Sequence, residues 1–110
     1  MLNKIIEIAE ILDWKVNIDI ESDYIEFSQY SPAGEDFSFT VNTVNPEKII
    51  EGVIRYADDF DIDEHIEMWI EARKNGVSGI PSTRELVYDA EEISKMLNTL
   101  AERLLIETRR

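Results

Sequence analysis

The chain has no cysteine and a single histidine, His65. Disulfide frameworks, thiol catalysis and cysteine-based zinc sites are thereby excluded, and a transition-metal centre would have to be mostly carboxylate. Cations are scarce as well: 11 Lys and Arg stand against 24 Asp and Glu, for a net charge of −13. Only four glycines and three prolines occur, and no phosphate-cradling glycine loop or G-x-S-x-G elbow is built from them. Long apolar runs are missing too. The N-terminal MLNKIIEIAEILDW is broken by Lys4, Glu7, Glu10 and Asp13, unlike a signal-peptide core or a membrane span. The expectation is a cytoplasmic protein without membrane association.

What is present is enough for a fold. The 110 residues match one domain rather than two, and the composition is 44% hydrophobic with two Trp, four Tyr and four Phe, which a disordered acidic tail would lack. Residues 1–110 are read as a single acidic domain. Its charge is unevenly spread: Trp14 to Glu71 holds fifteen acids against Lys15, Lys48 and Arg55, twelve net negative charges. Residues 72–110 hold six acids against seven bases. Such a field opposes association with nucleic acid or anionic lipid and favours a basic protein surface as partner.

Periodicity divides the chain. Leu2, Ile5, Ile6, Ala9 and Leu12 fall at helical spacing. WKVNIDIE then alternates Val16, Ile18 and Ile20 with polar residues, which predicts a half-buried strand. Ser22 and Asp23 turn into a second strand, YIEFSQY. SPAGED is a turn leading to Phe37, Phe39 and Val41 in a third strand, so the three form an antiparallel meander. Asn45–Pro46 opens a helix with the stripe Ile49, Ile50, Val53, Ile54 and Ala57, ending near Asp58 to Phe60. Asp61 with Glu64 has capping-box spacing and opens another, with Ile62, Ile66, Trp69 and Ile70 inward and an end at Asn75–Gly76. Ser82 with Glu85 opens a last helix running to about Thr108. The fold class is α+β in the order α-β-β-β-α-α-α, with a long C-terminal helix.

Asp59, Asp61 and Asp63 repeat as D-x-D-x-D, the start of a calcium loop, but Glu64 stands where the loop needs glycine and Ile70 where it needs the closing glutamate. No metal or other cofactor is expected. Carboxylate pairs are too many to nominate an acid and a base, and His65 reads as an exposed helical residue beside Asp61. No catalytic residue is assigned, and the chain is not read as an enzyme. EARKNGVSGIPSTRELVYDA has a helix-turn-helix rhythm, yet Arg84 is followed by Glu85, Asp89, Glu91 and Glu92. Leu86, Ala90, Ile93, Leu97, Leu100 and Leu104 make an a/d seam, flanked by Leu105 and Ile106. Leu97, Leu104 and Leu105 are therefore candidate docking residues for a homodimer or a partner.

The stretch DDFDIDEHIEMWIEA concentrates the acids. Asp63, Glu67 and Glu71 fall at i, i+4 and i+8, one row with charges about 6 Å apart at 1.5 Å rise per residue, similar to successive phosphates on a DNA strand. Small, cysteine-free, strongly acidic α+β chains of this length resemble the DNA-mimic inhibitors of phages and mobile elements, of anti-restriction and anti-CRISPR type. YSPAGEDFSF and DEHIEMWIEARKNG are also similar to segments of uncharacterised small proteins of gut Firmicutes. The first resemblance implies a protein without chemistry of its own that occupies the basic nucleic-acid channel of a host defence nuclease. The candidate partner-binding residues are Asp58, Asp59, Asp63, Glu64, Glu67 and Glu71, and Asp19, Glu21, Asp23, Glu26, Glu35 and Asp36 would extend the field if they share its face.

Overall fold

In the computed structural model, which describes residues 1–109, the element order is α-β-β-β-α-α-α, as the periodicity predicts. Helix α1 (Leu2–Ile11) buries Ile5, Ile8 and Ala9 and stops where Asp13 takes a positive φ of 69°. Trp14, 2% exposed, drops into the core before strand β1 (Lys15–Asp19). The strand is shorter than the alternation suggests. Ile20, expected inward, falls in the turn and is 74% exposed, because Asp19 accepts the Ser22 N–H at 3.0 Å and Asp23 adopts φ 53°, which ends the ladder.

Strand β2 (Tyr24–Tyr30) pairs antiparallel with β1 on one side and with β3 (Asp36–Val41) on the other, so the sheet order is β1-β2-β3. Cross-strand partners Val16–Phe27–Phe39 and Ile18–Ile25–Val41 set one apolar face. The alternate residues, among them Lys15, Asn17, Glu26, Ser28, Asp36 and Ser38, line a polar face turned away from the helices.

Helix α2 (Pro46–Asp59) begins under an Asn45 cap whose Oδ1 accepts the Lys48 N–H at 3.2 Å. Its Gly52 sits against Val41 of β3: a Cβ at residue 52 would lie 2.5 Å from Val41 Cγ1, so only glycine allows this approach. Helix α3 (Ile62–Lys74) is capped by Asp61, which accepts the Glu64 N–H at 3.1 Å. Helix α4 (Thr83–Thr108), capped by Ser82 at the Glu85 N–H, is 26 residues long and touches each of the other three helices. It buries Leu86, Ala90, Ile93, Leu97, Leu100 and Leu104 against the core. Rings join the layers: Phe39 stacks on Phe27 and on Tyr56, and Trp14 meets Phe39 edge-on at 5.6 Å.

Candidate functional site

Helices α2 and α3 meet at an elbow, Asp59-Phe60-Asp61, because Phe60 leaves the helical conformation (φ −65°, ψ 116°) and Asp61 starts the next cap. Phe60 is held there by Phe37, edge-on at 6.0 Å, and by His65, 5.4 Å away. The bend carries the acids outward on both sides. Asp58, Asp59, Asp61 and Asp63 share one open hollow with Glu91 of α4. Asp59, Asp61 and Glu64 rim a second hollow of about 340 Å³, with Tyr56, Phe60, His65 and Met68 as its walls. No Lys or Arg among the described residues lines either. Among the described residues, the ion pairs made by Lys or Arg are Lys95–Glu92 and Arg103–Glu107, both within α4, so none of the elbow acids is neutralised by one.

Of the six residues assigned to partner binding, all are exposed. The elbow gathers Asp58, Asp59, Asp63 and Glu64, whereas Glu67 and Glu71 continue along α3 and line neither hollow. The wider field is divided. Asp19, Glu26 and Asp36 belong to the polar sheet face, away from the helical layer, and the Asp23 carboxylate accepts the Val44 N–H at 2.9 Å. Among the described residues, no three His, Asp or Glu side chains stand where they would hold one metal ion.

Two side chains depart from their expected roles. His65 is not an exposed neighbour of Asp61: its side chain is 12% exposed and its Nε2 lies 3.0 Å from Glu35 Oε2, so the Nε2–H donates to that carboxylate. Glu35 is accordingly occupied in fastening α3 to the β2–β3 turn and does not extend the acidic surface. Asp89, counted above among the acids near Arg84, is 3% exposed; it accepts the Ser31 hydroxyl and the Ala33 N–H, each at 2.8 Å. Ser31 Oγ in turn accepts the Glu35 N–H at 3.0 Å. A buried carboxylate thus shapes the turn that presents Glu35 to His65. Nearby, burial first and the Glu35 charge second hold the Tyr56 phenol above its ordinary value of 10.0.

Two of the three docking candidates lie in the core, not on a surface. Leu97 and Leu104 are both 0% exposed and form core, because α4 is surrounded by the other helices rather than lying at an edge. Leu105 is half-buried and lines a shallow hollow with Ile50, Ile54 and Met1, and Ile106 beside it is 57% exposed. In the helix-turn-helix segment, Arg73 reaches back to the Pro81 carbonyl and the Thr83 hydroxyl, fixing a connection that turns through Gly76 and Gly79 at positive φ. No helix among the described residues is long and apolar enough to cross a membrane. Compared with protein-family models, curated proteins and solved structures, the chain matches none.

Proposed function

We propose that this protein is a non-enzymatic inhibitor that offers its α2–α3 elbow and the acidic row of α3, in place of nucleic-acid phosphates, to the basic channel of a nucleic-acid-processing enzyme. Restriction and CRISPR nucleases of a host cytoplasm are the class of target. One observation carries the reading: Asp58, Asp59, Asp61, Asp63 and Glu91, from three helices and the elbow between two of them, surround a single open hollow with no Lys or Arg among them. Like charges at i, i+4 weaken a helix by a few tenths of a kcal/mol per pair, so the row Asp63, Glu67 and Glu71 is not there for helix stability. A cationic partner relieves that repulsion, and steering by complementary fields speeds encounter.

The test is competition. A target nuclease incubated with the protein loses DNA binding, and the inhibition weakens as salt rises, because the contacts are between solvent-accessible charges. Asp58→Asn with Asp59→Asn and Asp63→Asn weakens inhibition several-fold, as does Glu67→Gln with Glu71→Gln. Inhibition unchanged in both variants, or insensitive to salt, refutes the reading.

A second reading rests on the Leu105, Ile50 and Ile54 hollow beside exposed Ile106: an accessory module of a mobile element that dimerises or docks through the end of α4. Ile106→Glu leaves a monomer folded but abolishes a dimer seen by sedimentation if this surface is the interface.

A further inference from the structure

The hollow of about 340 Å³ at the elbow differs from the rest of the acidic surface, because its walls are mainly aromatic and apolar. Tyr56, Phe60 and the His65 ring line it, and Met68, one helical turn beyond His65 on α3, lines it too with 54% of its surface exposed. Between residues 64 and 71 the exposed positions of α3 are Glu64, Glu67, Met68 and Glu71, so Met68 is an apolar side chain among acids, with no core to fill. At this volume the hollow sits at the lower end of small-molecule sites, about 300–1,000 Å³, so it suits a single side chain or a ligand of that size.

We infer that this groove receives one arginine side chain of a basic protein partner. The apolar walls match the methylene stem, and the carboxylates of Asp59, Asp61 and Glu64 at the rim match the charge. Guanidinium is the better fit of the two natural cations. It is planar, stacks on aromatic rings within about 6 Å, and forks its donors to carboxylates, whereas an ammonium is a compact, strongly hydrated point charge. His65 is held by Glu35 through Nε2, so its ring is a fixed wall and not a mobile competitor for the cation. The inference rests on the proposed partner class, but it adds a discriminating anchor: a polyanion alone attracts any basic surface, and an anchor groove selects one that carries an arginine at the right place.

The experiment needs no nuclease. Blocked tripeptides with arginine, lysine or citrulline at the centre are titrated into the full chain and followed by nuclear magnetic resonance of the Met68 methyl and the Tyr56, Phe60 and His65 rings. Arginine produces saturable shifts confined to these four residues, about tenfold tighter than citrulline, which keeps the shape and loses the charge, and several-fold tighter than lysine. Phe60→Leu, which keeps every carboxylate, weakens arginine binding several-fold. Met68→Lys, at an exposed helical position that leaves the core untouched, abolishes it by placing a tethered ammonium in the groove. Equal binding of arginine and citrulline, shifts that spread without saturation along Asp63, Glu67 and Glu71, or indifference to Met68→Lys in a folded variant overturns the inference. The two readings part cleanly. Nuclease inhibition that survives Met68→Lys leaves the decoy standing without the groove, and arginine binding without nuclease inhibition leaves the groove without the decoy.

Discussion

Helices α3 and α4 lie side by side and are held by different physics. Eight residues of α4 are buried, from Leu86 to Leu104, and the three other helices close around it. Helix α3, described throughout, has no fully buried residue; its inward side chains Ile62, Ile66, Trp69 and Ile70 are all half-buried. What α3 lacks in burial it replaces by polar fastenings at both ends: Glu35 on His65 near the start, and Arg73 on Pro81 and Thr83 near the finish. A helix seated this lightly has most of its circumference free, and that free circumference is where the acids are. The lesson is a division of labour in which one helix specifies the fold and the other presents a surface.

The comparison is broken most forcefully in the core. Leu97→Ala, at a 0% exposed position, costs about 2–5 kcal/mol in denaturant unfolding, while Ile66→Ala in α3 costs about 1–2 kcal/mol. Equal losses would mean that α3 is as integral as α4. Next comes Asp89→Ala, which strands the Ser31 hydroxyl and the Ala33 N–H; a loss of about 1.5–3 kcal/mol is expected, read in the same assay. Glu35→Ala acts locally. It raises amide hydrogen exchange across α3 several-fold and leaves α4 protected, with a global cost of about 0.5–1.5 kcal/mol; uniform deprotection would show that the two helices open as one unit.

Tyr56 gives the pH dependence. Its phenol is raised above 10.0 in the fold, so the fold prefers the neutral form; the associated stability is intact below pH 10.0 and is lost as pH climbs through the higher folded value. In an absorbance titration of the four tyrosines, Tyr56 ionises late, and Tyr56→Phe removes that late phase. The smallest effect is on the surface. Glu67→Gln with Glu71→Gln stabilises the chain by a few tenths of a kcal/mol by relieving the row, the opposite sign to every core substitution.

Most of the architecture was legible because its signals are local. Asn45, Asp61 and Ser82 each cap a helix N–H three residues on, and the period-two strands pair in the register that puts Val16, Phe27 and Phe39 on one face. Ile20 was misread because a turn that starts one residue early overrides an alternation still visible in the sequence. The site was legible only in its composition. The acids could be counted, but Asp89 and Ser31 are 58 residues apart and His65 and Glu35 are 30 apart, and no periodicity links residues across such gaps. For the same reason a buried carboxylate and an exposed one look alike in sequence. Leu97 and Leu104 show the converse, since an a/d seam marks an apolar face without saying whether the same chain or another covers it.

The polar sheet face has a consequence for the protein in a crowded solution. A three-stranded sheet with order β1-β2-β3 ends in two unclosed strands, each a template on which a neighbouring copy can add its own strand. Lys15 and Asp19 on one border and Asp36 on the other, with Glu26 between them, put charge along both seams. Two copies approaching Asp36 to Asp36 meet repulsion before their backbones can pair. At the β3 border, the Asp36 carboxylate thus guards the chain against its own kind.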